Sequence, residues 1–431
     1  MYELKKYQEN ILLFLPFLFP FLISLLFFDQ FSSCNDALFG GDTAETPKQI
    51  GNIFAYYDFV KHPLFYTLGF FIYNFIRIIF PFISQEISSQ LVLIIYQIFL
   101  IYSIFRIIKH LNFKNKILII TLNLILSFSL SIFMVFLPET LGLSLGGIFL
   151  LIPVLISIKR EEFNTRRNIL INSLKIGFAG LLSINIMGLA LPYMILPLLK
   201  FKKNIKEFKF RFYEIIIALT ISLTPIFLIT LTTKRSAISG YISYWSSFEN
   251  FLSIKSWFTT FINLFIYGYS SPTEKYQYIY SPKLLFSNLG LLSLIFGLTI
   301  FIVSMISFFQ SLKTIKMPES ESINNMKNYI GEFHIYVFSY GLTQLIFFVF
   351  WAPHESIFFS PYIAPLFLIN SILYIDHSFT LKNNNLFKFF IILITSIFVS
   401  INLFVANNTI NNKYPENCLK WEIRKVIIPR I

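Results

Sequence analysis

Long apolar runs alternate with short charged segments along most of the chain. Runs of nearly 20 residues are typical of membrane-spanning helices, whereas a membrane β-barrel needs alternating segments of about ten residues. The apolar runs predict spans at 11–28, 90–108, 117–137, 140–158, 174–187, 188–200, 213–231, 284–309, 333–352, 358–375 and 387–405. We therefore expect an all-α polytopic membrane protein with about 11 transmembrane helices in a single multi-pass domain, residues 1–431.

A further apolar run, 64–83, differs from the others because polar side chains cluster near one face of the helix it would form. Those residues are Tyr66, Thr67, Tyr73, Asn74 and Arg77. If the run crossed the membrane, the bases of 106–116 would fall on the outer side, against the positive-inside rule. We therefore predict an amphipathic helix that lies in the membrane interface.

This topology places the N-terminus and most Lys and Arg residues on the inner side of the membrane. It puts 22 of the 35 Lys and Arg residues in inner segments. The first outer loop is then 29–89, the second is 232–283, and 406–431 is a short C-terminal tail. Because Lys175 and Lys200 both belong inside, 174–200 is expected to form two short helices, with one tilted helix as the alternative.

Composition narrows the class of protein. Hydrophobic residues make up 55% of the chain and charged residues 13%, whereas soluble domains are about one quarter charged. The net charge of +13 suits contact with anionic membrane lipids, and there is no compact basic domain for nucleic acid. The two cysteines form no C-x-x-C pair, so no zinc or redox motif is indicated.

The first outer loop gathers acidic residues in a basic protein. Residues 29–61 contain five acids and two bases. Residues 46–49 read as a capping box with proline at the first helical position, and Pro63 can start the next helix. Asp42 and Glu45 then lie just ahead of a helix. They could bind a divalent metal or a polar acceptor, or act as a general base, or simply cap the helix.

An aspartate soon after the first span, followed by an interfacial segment that opens with His-Pro, resembles the GT-C glycosyltransferases. Within this superfamily, the resemblance is to the branch that contains the protein O-mannosyltransferases and aminoarabinose transferases. Here the acids are Asp42 and Glu45, and the dipeptide is His62-Pro63. The stretch 178–192 is similar to the short paired helices of this family.

The resemblance implies an inverting transferase that takes a sugar from a polyprenyl-phosphate donor at the outer membrane interface. Asp42 would remove the proton from the acceptor hydroxyl, with Glu45 as a second catalytic candidate. Inversion needs only one positioned base. The implied partners are the lipid-linked donor, membrane lipids, and a lipid, glycan or protein acceptor. A divalent metal is the one cofactor to consider.

Further site candidates follow from the same implication. The leaving phosphate needs positive charge or hydrogen-bond donors. The candidates on the outer side are Lys234, Arg235, Arg77 and His354, and the candidates for holding an acceptor or metal are Glu139, His62 and Asp58. Each has a structural alternative, because such residues also snorkel to headgroups, end helices or are solvated.

Two other classes of function stay open, a transporter or polyprenyl-linked glycan flippase and a non-catalytic scaffold. Transporters often place charge at helix breaks near the membrane midplane. The predicted spans carry almost no acids or bases, which favours chemistry at the interface. We expect a multi-pass protein of a bacterial inner membrane, or of an endomembrane in a eukaryote, with its active site on the outer or luminal side.

Overall fold

The computed structural model describes part of the 431 residues. The described residues are 15–18, 22, 50, 63–128, 141–157, 166–200, 204–233, 248–266, 269, 288–315, 325–351, 353, 356, 359–378, 389–400 and 403. Most of the predicted first outer loop, including 29–49, and the predicted tail 406–431 lie outside the described residues.

The described part of the chain is helical and contains no strand, which confirms the all-α prediction for these residues. The helices are α1 (Pro63–Ile79), α2 (Gln85–His110), α3 (Lys116–Phe128), α4 (Leu141–Ser157), α5 (Arg166–Leu182), α6 (Ala190–Leu199), α7 (Ile205–Thr233), α8 (Phe248–Leu252), α9 (Ile254–Phe265), α10 (Asn288–Ile315), α11 (Asn325–Trp351), α12 (Ser360–Ser378) and α13 (Phe389–Ser400). A 3₁₀ segment, Ile184–Leu189, joins α5 to α6.

Three helical segments in the described part of the chain are long and apolar enough to cross a membrane. They are Ile87–His110, Leu291–Ile315 and Asn328–Phe350. Five shorter apolar helical segments in the described part of the chain, that of α1 among them, have 10–17 residues. The described helices follow the predicted apolar runs from 90–108 onward, but the count of eleven spans stays a prediction.

Helix α1 begins at Pro63, as the sequence predicts, and runs antiparallel to the first half of α2. The Tyr96 hydroxyl of α2 donates to the carbonyl of Phe65 at 2.7 Å. The residues of α1 with the most exposed side chains are apolar, and they are Leu68, Phe71, Phe75, Ile78 and Ile79. Of the five polar residues on the predicted polar face, Tyr66 is 2% exposed and so faces the protein; the interfacial position of α1 stays a prediction.

The chain reverses direction between α5 and α6, so 174–200 contains a helix break, as predicted, although α5 begins earlier, at Arg166, and the two short spans stay a prediction. Asn172 and Gly177 of α5 bond to Glu214 and Ser222 of α7, so α5 and α7 run parallel. Tyr193 of α6 then returns to Glu214. Helix α6, ten residues long, spans about 15 Å and is too short to cross a hydrocarbon core of about 30 Å.

Glycine allows two close approaches at this reversal. A Cβ on Gly177 would lie 2.9 Å from Ile221 of α7, so α5 and α7 pack backbone to side chain there. A Cβ on Gly188 would lie 2.4 Å from the side-chain nitrogen of Gln344 and 3.0 Å from the Tyr340 ring. The 3₁₀ segment therefore fits against the middle of α11 only because this position lacks a side chain.

Helices α10, α11 and α12 pack around a group of buried aromatic rings. The Phe301 and Phe338 rings lie 5.8 Å apart, and Phe367 lies 6.2 Å from Phe301 and 5.9 Å from Phe338. Phe265 of α9 joins them, 5.0 Å from Phe367. Part of the predicted second outer loop is thus a helix with one face in the core.

Candidate functional site

Most of the sequence-predicted site lies outside the described residues. This applies to Asp42, Glu45, Asp58, His62, Glu139, Lys234, Arg235 and His354. Their assignment therefore stays a prediction. The described residues contain no group of three or more His, Cys, Asp or Glu side chains that could hold a metal ion.

Arg77 is the predicted site residue that the structure describes. It lies near the end of α1, and its Nη1 donates to the carbonyl of Ile83 at 2.9 Å across the turn that leads into α2. This bond stabilises the turn. A guanidinium carries five N–H groups, so a bond to one carbonyl is compatible with the predicted role in phosphate binding.

A buried amide fixes the connection that carries His354. Asn263 of α9 (1% exposed) donates through Nδ2 to the carbonyl of Pro353 at 3.3 Å and to the Ser356 hydroxyl at 3.0 Å. The Ser356 hydroxyl donates in turn to Pro353 at 2.5 Å. Two described residues of this short connection between α11 and α12, Pro353 and Ser356, are therefore tied to α9.

Among the described residues, buried charges are concentrated in the first turns of α7. Glu207, Arg211 and Glu214 are four and three residues apart and share one helix face. Their exposed fractions are 3%, 2% and 0%. We call these residues, together with Asn172 and Tyr193, the Arg211 junction. It joins α5, α6 and α7.

Arg211 is held by both charge and geometry. Its Nη2 donates to Oε1 of Glu207 at 2.6 Å, and its Nη1 donates to the carbonyl of Tyr193 at 2.7 Å. The guanidinium carbon lies 4.4 Å from the centre of the Tyr193 ring, which is a cation–π distance. A longer bond of 3.4 Å reaches the Tyr336 hydroxyl of α11.

Glu214 is surrounded differently. Asn172 donates to its Oε1 at 2.9 Å, and the Tyr193 hydroxyl donates to its Oε2 at 2.5 Å. Within the described residues, Glu214 has no lysine, arginine or histidine at ion-pair distance. Both of its direct partners are therefore neutral.

An ion pair lies at the edge of this region. Lys200, which follows α6, is 3.0 Å from Glu332 of α11, with side chains 11% and 13% exposed. This pair joins the end of α6 to the first turns of α11. It is less deeply buried than the pair of Arg211 and Glu207.

A second buried polar region contains no formal charge. Asn370 of α12 bonds through Oδ1 to Nδ1 of His334 at 2.6 Å and donates through Nδ2 to the Ser307 hydroxyl at 3.0 Å. The Ser304 and Ser371 hydroxyls are 2.9 Å apart. We call these five residues the serine network, and it joins α10, α11 and α12.

Helix α12 ends beside the start of α3. The Asp376 carboxylate accepts from the backbone N–H groups of Lys114 at 2.5 Å and Asn115 at 3.1 Å. The pKa of His377 is lowered, mainly by burial and then by the Lys114 ammonium, and the Asp376 carboxylate opposes this shift only in part. This end of the bundle is thus fixed by a carboxylate that satisfies two backbone donors.

No family model, curated protein or solved structure matches this chain.

Sequence reasoning missed the Arg211 junction. Residues 200–211 read as an inner loop whose bases set the topology, yet α7 begins at Ile205 and buries Arg211. A signal was present, because acid, base and acid recur on one helix face at 207, 211 and 214. Asn204 and Glu207 also form a helix start, since the Asn204 side chain accepts from the Glu207 N–H at 2.9 Å.

Proposed function

We propose that the protein is an inverting glycosyltransferase that moves a sugar from a polyprenyl-phosphate donor to an acceptor hydroxyl at the outer membrane interface. The observation that carries the proposal is the acidic segment between the first apolar run and the helix that opens at Pro63. A basic membrane protein with five acids against two bases in this one segment has a general base available beside the bilayer.

In this mechanism Asp42 accepts the proton of the acceptor hydroxyl as its oxygen attacks the anomeric carbon. Glu45 is the second catalytic candidate, and Asp58, His62 and Glu139 are candidates for orienting the acceptor or holding a divalent metal. The departing phosphate is stabilised by cations, for which Arg77, Lys234, Arg235 and His354 are candidates. Arg77 is anchored in a turn, which would limit the cost of ordering it at a phosphate.

The setting of this chemistry is a multi-pass bundle with an outer active site, as the topology predicts. Three helical segments with the length and apolarity of spans support the membrane setting of the proposal. Within α2, α10 and α11 the Lys, Arg, Asp and Glu residues lie towards the helix ends. A lipid-linked donor would reach the site from the bilayer, and a polar acceptor from water.

A transporter or glycan flippase is the second candidate, and one observation favours it. The chain breaks at Ser183 and reverses through a 3₁₀ segment beside the middle of α11. Transporters build binding sites at such discontinuous helices. The described residues around this break are mostly apolar or hydroxyl-bearing, which favours the transferase.

The two candidates are separated by one assay on purified protein in liposomes that contain a radiolabelled polyprenyl-phosphate sugar. Transfer of label to a hydroxyl acceptor supports the enzyme, and movement of intact donor across the bilayer supports the flippase. We expect Asp42→Asn to reduce transfer by about 100-fold or more, since general base catalysis contributes about 10²–10⁴-fold. Asp36→Asn, which removes an acid of the same loop, is the matched control and should keep normal transfer.

A further inference from the structure

In the Arg211 junction and the neighbouring pair of Lys200 and Glu332, the acidic residues outnumber the basic residues by one. Arg211 and Glu207 form a close ion pair, and Lys200 and Glu332 form another. Each pair is neutral as a unit. Glu214 is the fifth ionisable residue, and no cation lies at ion-pair distance from it within the described part of the chain. If every group were ionised, these five residues would carry one net negative charge.

The surroundings of Glu214 would stabilise a negative charge only poorly. Glu214 is 0% exposed, and its two oxygens accept from an amide and a phenol. Neutral donors offset only part of the cost of removing a carboxylate from water, and a buried group without a counter-charge usually becomes neutral instead. The nearest guanidinium, Arg211, is already paired with Glu207.

We propose that Glu214 holds a proton at neutral pH, which makes the junction of α5, α6 and α7 a proton-binding site. The ligand is a single proton that converts the Glu214 carboxylate to a carboxylic acid. Asn172 donates to Oε1, so the proton belongs on Oε2, which then donates to the Tyr193 oxygen instead of accepting from its hydroxyl. This site is separate from the proposed transfer chemistry and does not depend on it.

The groups that face Glu214 come from each element packed around it. Asn172 belongs to α5, Tyr193 to α6, and Glu207 and Arg211 to its own helix. In the described part of the chain, the ionisable groups around Arg211 also include Tyr336 and Glu332 of α11. Lys200 lies beside Glu332. The proton therefore brings the junction to neutrality, and its removal at alkaline pH would leave a net charge where three helices meet.

Two substitutions on the same face of α7 test the proposal, because each changes a carboxyl group into an amide of equal size. Glu214→Gln mimics the protonated acid, so its apparent Tm should equal that of wild type near pH 4 and exceed it at neutral pH, where wild type must take up a proton as it folds. Glu207→Gln removes the carboxylate 2.6 Å from the buried Arg211 guanidinium and should lower the apparent Tm by about 5 °C or more. The difference in apparent Tm should grow between pH 4 and neutral pH, because only wild type takes up this proton on folding.

Infrared spectroscopy provides a readout that a purely structural role would not change. The wild-type protein should show the carbonyl band of a protonated carboxylic acid at neutral pH, with the usual shift in heavy water. The band should be absent in Glu214→Gln and retained in Glu332→Gln. An unchanged band in Glu214→Gln, or a Tm loss equal to that of Glu207→Gln, would overturn the proposal.

Discussion

The Arg211 junction and the serine network are both buried, and both join three helices, yet they use opposite chemistry. The junction contains formal charges, and the network contains none. A charge in the interior needs a counter-charge or a proton, whereas a neutral polar group needs only donors and acceptors in the right places. Removal of one partner should therefore lower the free energy of unfolding much more in the junction than in the network.

The largest effect is expected for Arg211→Met. This change leaves the buried Glu207 carboxylate without its cation and removes the bond to the Tyr193 carbonyl. We expect a loss of about 3–5 kcal/mol in the free energy of unfolding, measured by chemical denaturation in detergent. Arg211→Lys, which keeps the charge but loses the ring contact and the fork of donors, should lie between wild type and Arg211→Met.

A double substitution sharpens the same point. Replacing both Glu207 and Arg211 by apolar residues of similar size should recover most of the loss seen in Arg211→Met, since no charge is left unpaired. If Arg211→Met alone were as stable as wild type, the account of the junction as a set of balanced charges would be wrong.

A smaller effect is expected in the serine network. Asn370→Leu removes the bond partner of His334 and one partner of Ser307, with little change in volume. Leaving buried polar groups without a partner costs about 1–3 kcal/mol in unfolding free energy. Ser371→Ala, which removes one hydroxyl from the same network, is the control and should cost less. A loss larger than that of Arg211→Met would reverse the ranking of the two regions.

The smallest effect is expected for Glu332→Gln at the edge of the junction. The pair of Glu332 with Lys200 is partly exposed, so solvent and salt weaken it. We expect a loss of about 1 kcal/mol or less, and the loss should shrink as the salt concentration rises. A loss that does not depend on salt would show that this pair acts as a buried one.

Much of the described fold follows from the sequence because hydrophobicity and positive charge act over whole segments. The apolar runs locate the helices, Pro63 marks the start of α1, and the bases at 175 and 200 predict the reversal between α5 and α6. The start of α7 was misplaced because charged residues suggest a loop. Glu207 and Arg211 neutralise each other four residues apart on one face, which allows the charged turns to be helical and buried.

The buried polar partners were beyond sequence reasoning for a physical reason. Serine, asparagine and histidine in apolar helices bond to whichever helix packs beside them, and the sequence does not state which helix that is. His334 and Asn370 lie 36 positions apart and meet only because α11 and α12 are antiparallel. The exposed apolar face of α1 has a similar origin, since its orientation is set by contact with α2.

Neither buried region contains the groups proposed to perform chemistry, so stability and activity should separate. The most direct measurement compares sugar transfer from a polyprenyl-phosphate donor by wild type, Asp42→Asn and Asp36→Asn, on samples whose apparent Tm values agree. The account predicts that Asp42→Asn transfers at roughly one hundredth of the wild-type rate or below, while Asp36→Asn is unaffected. Transfer by folded Asp42→Asn at the wild-type rate would contradict it.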